Sequence, residues 1–274
     1  MLGQYATKKN LQTRVDIHKL YSQVPSSFHD WALRHVEFSG SEKALDAGCG
    51  SGAWLFPLAD RLSENGGSVV GVDLSEGMLS DIANEAKKRP NIELRTGDVQ
   101  NLPFPDDSFD FVMANFMLYH VPDIHQAIRE LKRVLKPGGK LMTATNSQLS
   151  MGPLWKLHVA CQRKAKIPED IVLRSVPNVR FSLENGPDFL RTHFEWFESN
   201  VLYDALKFTD AQPLMDYYSF GFMKHGDTGN QISDEQWRSV YDSVREQADE
   251  IIERDGWYSI PKTAGFFIME KPRN

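Results

Sequence analysis

Cysteine is nearly absent from this chain: its 274 residues include two, Cys49 and Cys161. A chain of this length buries roughly three-quarters of the surface its unfolded form exposes, so it needs neither a disulfide framework nor a structural metal. Both cysteines are expected as free thiols in a reducing compartment. No charge of one sign dominates, since 31 Lys and Arg against 37 Asp and Glu leave a formal net charge of -6. That balance exerts no global pull toward nucleic acid or anionic lipid. No run approaches the roughly 20 apolar residues of a membrane span. The opening MLGQYATKKNLQTRVDIHKLYSQ holds no apolar core of signal-peptide length. The cytoplasm is therefore the expected compartment, with no membrane partner. Repeats at solenoid spacing, low-complexity tracts and a Pro/Gly/Ser linker are also missing, so the chain reads as one domain.

What is present is alternation. Residues 43–47, 68–73, 92–97, 109–114 and 140–145 read as short strands, with helices expected near 53–64, 75–88 and 123–136. In the last of these, Ile124, Ala127, Ile128, Leu131, Val134 and Leu135 fall on one face. Asp123 and Gln126 form a capping pair at its start, and Pro137-Gly138-Gly139 is expected to end it. Strand–helix alternation of this kind makes a parallel sheet with helices on both faces, whose ligands bind beyond the carboxyl ends of the strands. After residue 147 the alternation fades. Helices are expected over 154–164, 182–193 and 233–255, the last opened by a Ser233/Gln236 capping pair. Strands are expected within 195–208 and over 265–269.

The strongest local signal is Leu45-Asp46-Ala47-Gly48-Cys49-Gly50-Ser51-Gly52, where three alternate glycines let the backbone turn sharply and approach a ligand closely. Gly48, Gly50 and Ala53 also satisfy the relaxed dinucleotide fingerprint, so the loop alone leaves open a nicotinamide cofactor or another adenosyl ligand. Asp46 favours the latter, because a carboxylate there repels a pyrophosphate but can hold an ammonium group. Asp73, 23 residues beyond Gly50, stands where an acid accepts hydrogen bonds from ribose hydroxyls. Asp98 follows the next strand, where it can accept from an adenine amino group while the Val99 backbone meets a ring nitrogen.

At this point the sequence resembles the class I S-adenosylmethionine-dependent methyltransferases. The resemblance runs through LDAGCGSG, VVGVDLSEGML, RTGDVQNLPFPDDSFDFV, ANFMLYHVPD and LKRVLKPGGKLM, in order, over residues 42–146. It implies an α/β fold: a doubly wound, Rossmann-like, seven-stranded and mostly parallel sheet with an antiparallel last strand near 264–270, and helical lid elements in the C-terminal half. The implied layout is an N-terminal helical cap over 1–40, a cofactor core over 41–146, and lid helices with closing strands over 147–274. The implied cofactor is S-adenosylmethionine. Asp46, Gly48, Gly50 and Gly52 would cradle its methionine part and ribose, and Asp73 would bind the ribose hydroxyls. Leu74 and Met78 would lie against the adenine, with Asp98 and Val99 at its edge and Asn115 near the amino acid end. Tyr21 is the candidate contact from the N-terminal helix.

Other readings accompany these. The glycine loop can be a tight turn, Asp73 with Ser75 a helix-start signal, and Asp106-Asp107-Ser108 a solvated turn. His120 is the histidine nearest the expected transfer site. It is a candidate base for a hydroxyl acceptor, set against a packed or hydrogen-bonded role. No histidine shows metal-ligand spacing. The stretch from Trp196 to Met223 holds eight aromatic residues (Trp196, Phe197, Tyr203, Phe208, Tyr217, Tyr218, Phe220, Phe222) and two methionines, Met215 and Met223. Most of these are expected in the core. Some are candidates to roof an acceptor pocket with Trp155 and the segment around Phe181. The expected partner is a small-molecule methyl acceptor with an oxygen or nitrogen nucleophile. RNA or protein methylation is the nearer alternative, and an NAD-dependent oxidoreductase or a non-catalytic binding protein the more distant ones. The acidic balance disfavours a nucleic-acid partner. So does the absence of an Asn/Asp-Pro-Pro-aromatic tetrad where Asn115-Phe116-Met117-Leu118 stands.

Overall fold

The structure is a computed structural model that describes residues 16–24, 27–175, 180–222 and 231–273. After a helical stretch at 16–21, the elements in the first half are α1 (Phe28–Leu33), β1 (Lys43–Ala47), α2 (Leu55–Leu62), β2 (Ser68–Asp73), α3 (Glu76–Ala86), β3 (Ile92–Thr96), β4 (Phe109–Met113), α4 (Ile124–Val134) and β5 (Leu135–Asn146). The second half continues with α5 (Gly152–Lys164), α6 (Glu169–Ser175), α7 (Gly186–Arg191), β6 (Glu198–Phe208), α8 (Ala211–Gly221), α9 (Asp234–Asp255) and β7 (Tyr258–Glu270). The chain divides into two compact units. One comprises residues 26–148, 179–202 and 264–274, and the other 1–25, 149–178 and 203–263.

The first unit holds most of a seven-stranded sheet in the order β3-β2-β1-β4-β5-β7-β6. Strands β3, β2, β1, β4 and β5 run parallel. β7 is antiparallel to β5, with Leu141 opposite Met269 and Thr145 opposite Gly265. The mostly parallel doubly wound sheet and the antiparallel last strand are as expected. Central parallel strands are covered on both faces and therefore read as continuous apolar runs: Phe111, Val112 and Met113 in β4 are all buried. The apolar face of α4 (Ile124, Ala127, Ile128, Leu131, Val134) packs with Leu45, Val70 and Phe267 in one cluster, and Leu55, Leu58 and Leu62 of α2 pack with Val69 and Met142 in another. The order reverses between β1 and β4. A switch point of this kind leaves a crevice at the carboxyl ends of the two strands.

Three boundaries differ from expectation. Helix α4 ends at Val134, and Pro137-Gly138-Gly139 lies inside β5. Leu135 is already paired to Phe109, and Gly138, at φ +76°, donates its N–H to Lys271 O. The expected helix over 182–193 is confined to Gly186–Arg191, because Ser182 spends its N–H and hydroxyl on Asn185 Oδ1 and makes a turn instead. The last strand starts seven residues before the expected Gly265.

In the second unit α5, α6, α8 and α9 share a core that includes Leu154, Val172, Leu214, Trp237 and Val244. The Ser233/Gln236 capping box of α9 is complete. Helix α8 had no sequence signature, because Leu214, Met215, Tyr217 and Tyr218 are buried on several faces and leave no amphipathic stripe. Phe208, Tyr217, Tyr218, Phe222 and Met215 are core residues, while Trp196 and Tyr203 are exposed. The Trp155 ring packs on Phe222 (centroids 4.0 Å apart), and Phe181 is fully buried in the first unit. The Phe220 side chain and Met223 lie outside the described residues. Cys49 and Cys161 are buried free thiols. Among the described residues no helix is long and apolar enough to cross a membrane.

Candidate functional site

The crevice at the switch point is built from strand ends. Gly48 and Cys49 both donate their N–H groups to Val72 O (2.7 and 2.9 Å), which ties the glycine loop to β2. Gly48 has φ +76° and Gly50 φ +49°, conformations glycine adopts without strain. A Cβ on Gly48 would lie 2.9 Å from Met117 Cγ, whereas one on Gly50 would have nothing nearer than Met78 Cε at 3.7 Å. The loop is thus closed over Gly48 and open at Gly50. At Gly52 a Cβ would collide with the Phe56 ring, so this glycine serves the turn into α2.

Asp46 is the anomaly of β1, since it is 2% exposed among the apolar residues that follow Lys43 and its Oδ2 has no hydrogen-bond partner among the described residues. Burial, then the charge of Asp73, pushes its pKa up to about 7. An unpaired buried carboxylate is costly and marks a place made for a partner. At the end of the neighbouring strand β4, Asn115 is 5% exposed. Its Oδ1 accepts the Ala144 N–H (2.8 Å), while Nδ2 is buried without a partner among the described residues.

Asp73 ends β2 with both oxygens in use: Gly50 N–H donates to Oδ2 and Ser75 N–H to Oδ1, each at 2.9 Å. Ser75 in turn caps α3 through the Met78 N–H. The helix-start reading of Asp73 and Ser75 therefore holds together with a hold on the loop, and each carboxylate oxygen keeps a further lone pair. Leu74 is 72% exposed beside Asp73, an apolar side chain without cover, and Met78 is half-buried. Asp98 lies beyond β3 and accepts from Gln100 N–H (2.8 Å) and from Gln100 Nε2; Val99 is buried beside it. His120 ends a short 3-10 turn after β4 and is exposed, with the Tyr119 ring against its imidazole (4.4 Å between centroids). Tyr21 belongs to the other unit, where its ring stacks on Phe208 at 4.6 Å.

Phe116 gave no sequence signal, because φ +54° is uncommon outside Gly, Asn and Asp. Such strain costs about 1–3 kcal/mol. Here it is offset by the Phe116 N–H donating to Ala144 O (2.8 Å) and by its ring packing against Phe28 and Trp54. The turn at Phe116 accompanies the seating of Met117 over Gly48.

The sequence profile of the family described as a methyltransferase domain matches residues 45–143. A demethylmenaquinone methyltransferase of Staphylococcus carnosus is 31% identical over 163 residues, 54% of this chain and 67% of that protein. The chain belongs to the class I S-adenosylmethionine-dependent methyltransferases. A second protein of the same name, from Lysinibacillus sphaericus, is 40% identical over 116 residues, 42% of this chain and 49% of its own length. The chain thus spans about half the length of the first curated relatives it matches. The YcgJ protein of Bacillus subtilis shares the fold at TM-score 0.57 with 18% identity, covering 90% of this chain and 98% of that one. The crevice fits the cofactor of this methyltransferase family. Asp46 Oδ2 is a buried acceptor suited to an ammonium group and Asn115 Nδ2 a buried donor suited to a carboxylate, while Gly50 leaves backbone space and Leu74 an apolar face.

Proposed function

We propose that this methyltransferase moves a methyl group from S-adenosylmethionine to a small-molecule acceptor with an oxygen or nitrogen nucleophile. The observation that carries the reading is the pair of buried polar atoms, Asp46 Oδ2 and Asn115 Nδ2, close to the carboxyl ends of adjacent strands and without a partner among the described residues. Together they match an amino acid zwitterion. Asp73 and Asp98 would hold the ribose and adenine, with Leu74 and Met78 against the ring. When bound, the cofactor supplies a methyl carbon already activated by the positive sulfonium. The protein's share is then to orient the acceptor and to exclude water, and no elaborate catalytic constellation is needed. His120 is the group proposed to take a proton from a hydroxyl acceptor. The name shared by the relatives supports the reduced hydroquinone, demethylmenaquinol, as the first acceptor to try: it presents hydroxyl groups, and loss of a hydroxyl proton makes the oxygen and the adjacent ring carbon nucleophilic.

Transfer of a tritiated methyl group to a short-chain demethylmenaquinol, kept reduced with dithionite, tests the reading. His120→Ala is expected to lower turnover at least about 100-fold, the contribution of a general base, with cofactor affinity unchanged. Full turnover in the variant removes the base role from His120 and leaves it a surface residue.

A further inference from the structure

The turn that carries His120 has few bonds of its own. His120 N–H donates to Met117 O (2.9 Å) and Val121 N–H to Leu118 O (3.1 Å), a single 3-10 turn, and Pro122 has no N–H to give. The carbonyls of Val121 and Pro122 are claimed from elsewhere. Arg180 donates Nη1 to Val121 O (2.9 Å) and Nη2 to Pro122 O (2.7 Å).

Arg180 is itself set on a fastened segment. Thr145 Oγ1 donates to Phe181 O (2.9 Å) and the Leu183 N–H to Asn146 O (3.1 Å). Glu184 accepts from Ser147 Oγ (2.5 Å) and the Gln148 N–H (2.8 Å). The strap over 180–184 is therefore bound to the carboxyl end of β5, and its one guanidinium reaches across to the loop after β4. A planar fork that bridges two successive carbonyls fixes direction as well as distance, which a lysine ammonium does not.

We propose that Arg180 is a positioning residue for the acceptor side of the site, acting through the 118–122 turn. This rests on the methyl-transfer reading above. The sheet order β3-β2-β1-β4-β5 places the three cofactor acids at the ends of β3, β2 and β1, so an acceptor comes from the side of β4 and β5. The cofactor groups are held without Arg180: Asp73 by Gly50 and Ser75, Asp98 by Gln100. Beyond the turn, Asp123 is anchored by donating its N–H to Gln100 Oε1 and by capping α4. Slack introduced at Arg180 is confined to the turn that carries Tyr119 and His120.

The test compares Arg180→Ala and Arg180→Lys with the wild-type full chain. In the alanine variant the His120 and Val121 amides are expected to exchange with deuterium at least about tenfold faster, with those of β4 unchanged. Affinity for S-adenosylmethionine should stay within about twofold of wild type. With reduced short-chain demethylmenaquinol, kcat/KM should fall at least about tenfold, and the lysine variant should recover part of it. Unchanged exchange at the turn overturns the proposal, as does loss of cofactor binding with faster exchange throughout the unit. If wild type fails to methylate this hydroquinone while the local exchange pattern appears and cofactor affinity is kept, the hold of Arg180 on the turn stands and the acceptor assignment fails.

Discussion

Asp46→Asn is expected to weaken S-adenosylmethionine binding by at least about 100-fold, because it removes the buried charge matched to a cationic group. The same change should stabilise the ligand-free protein at pH 8. Burial, reinforced by the negative Asp73, raises the Asp46 pKa to about 7, against about 4 in an unfolded chain. The folded protein thus keeps this proton where the unfolded chain has lost it. The contribution of Asp46 to stability is at its full value below about pH 4 and falls as pH rises through 7, by at most about 4 kcal/mol. Asn does not titrate, so the variant should lose less stability over that range, which thermal melts at pH 5 and pH 8 will read. In wild type, binding of the cationic cofactor must ionise Asp46, so affinity should rise up to about tenfold per pH unit below 7 and flatten above it. A pH-independent affinity, or an Asn variant that binds like wild type, contradicts the role.

The second large effect is expected at Asp73. Its carboxylate already accepts the N–H groups of Gly50 and Ser75, so Asp73→Ala should both loosen the glycine loop and remove the ribose acceptors. Charge-assisted hydrogen bonds contribute about 1.5–3 kcal/mol each. We expect a loss of about 1–3 kcal/mol in unfolding free energy and at least about 100-fold in affinity. Asp73→Asn separates the two. An amide oxygen still accepts one backbone N–H, so stability should largely return while affinity stays low, as urea denaturation and calorimetry of both variants will tell. Wild-type affinity in the Asn variant would remove Asp73 from the cofactor site.

The sheet and the crevice at its strand ends were legible because each rests on local chemistry. Short apolar runs end in acids, glycines stand where the backbone must turn, and α4 carries an unbroken stripe from Ile124 to Val134. What escaped the sequence depends on contacts made at a distance. Pro137-Gly138-Gly139 reads as a helix stop until Phe109 captures Leu135 and Lys271 pairs with Gly138. Helix α8 is too apolar on all sides to show a period. Phe116 is held at positive φ by Ala144, Phe28 and Trp54, and no residue beside it announces the turn. Arg180 is one arginine in an unpatterned stretch, and only the fold brings it to Val121 and Pro122.

The central claim is the identity of the ligand in the crevice, and calorimetric titration of the full chain at pH 7.5 addresses it directly. The account predicts saturable, one-to-one binding of S-adenosylmethionine and S-adenosylhomocysteine and no heat from NAD or NADH. Binding of NAD in place of the two adenosyl amino acids would contradict it, and would mean that the glycine loop and its three acids belong to a different adenosyl cofactor.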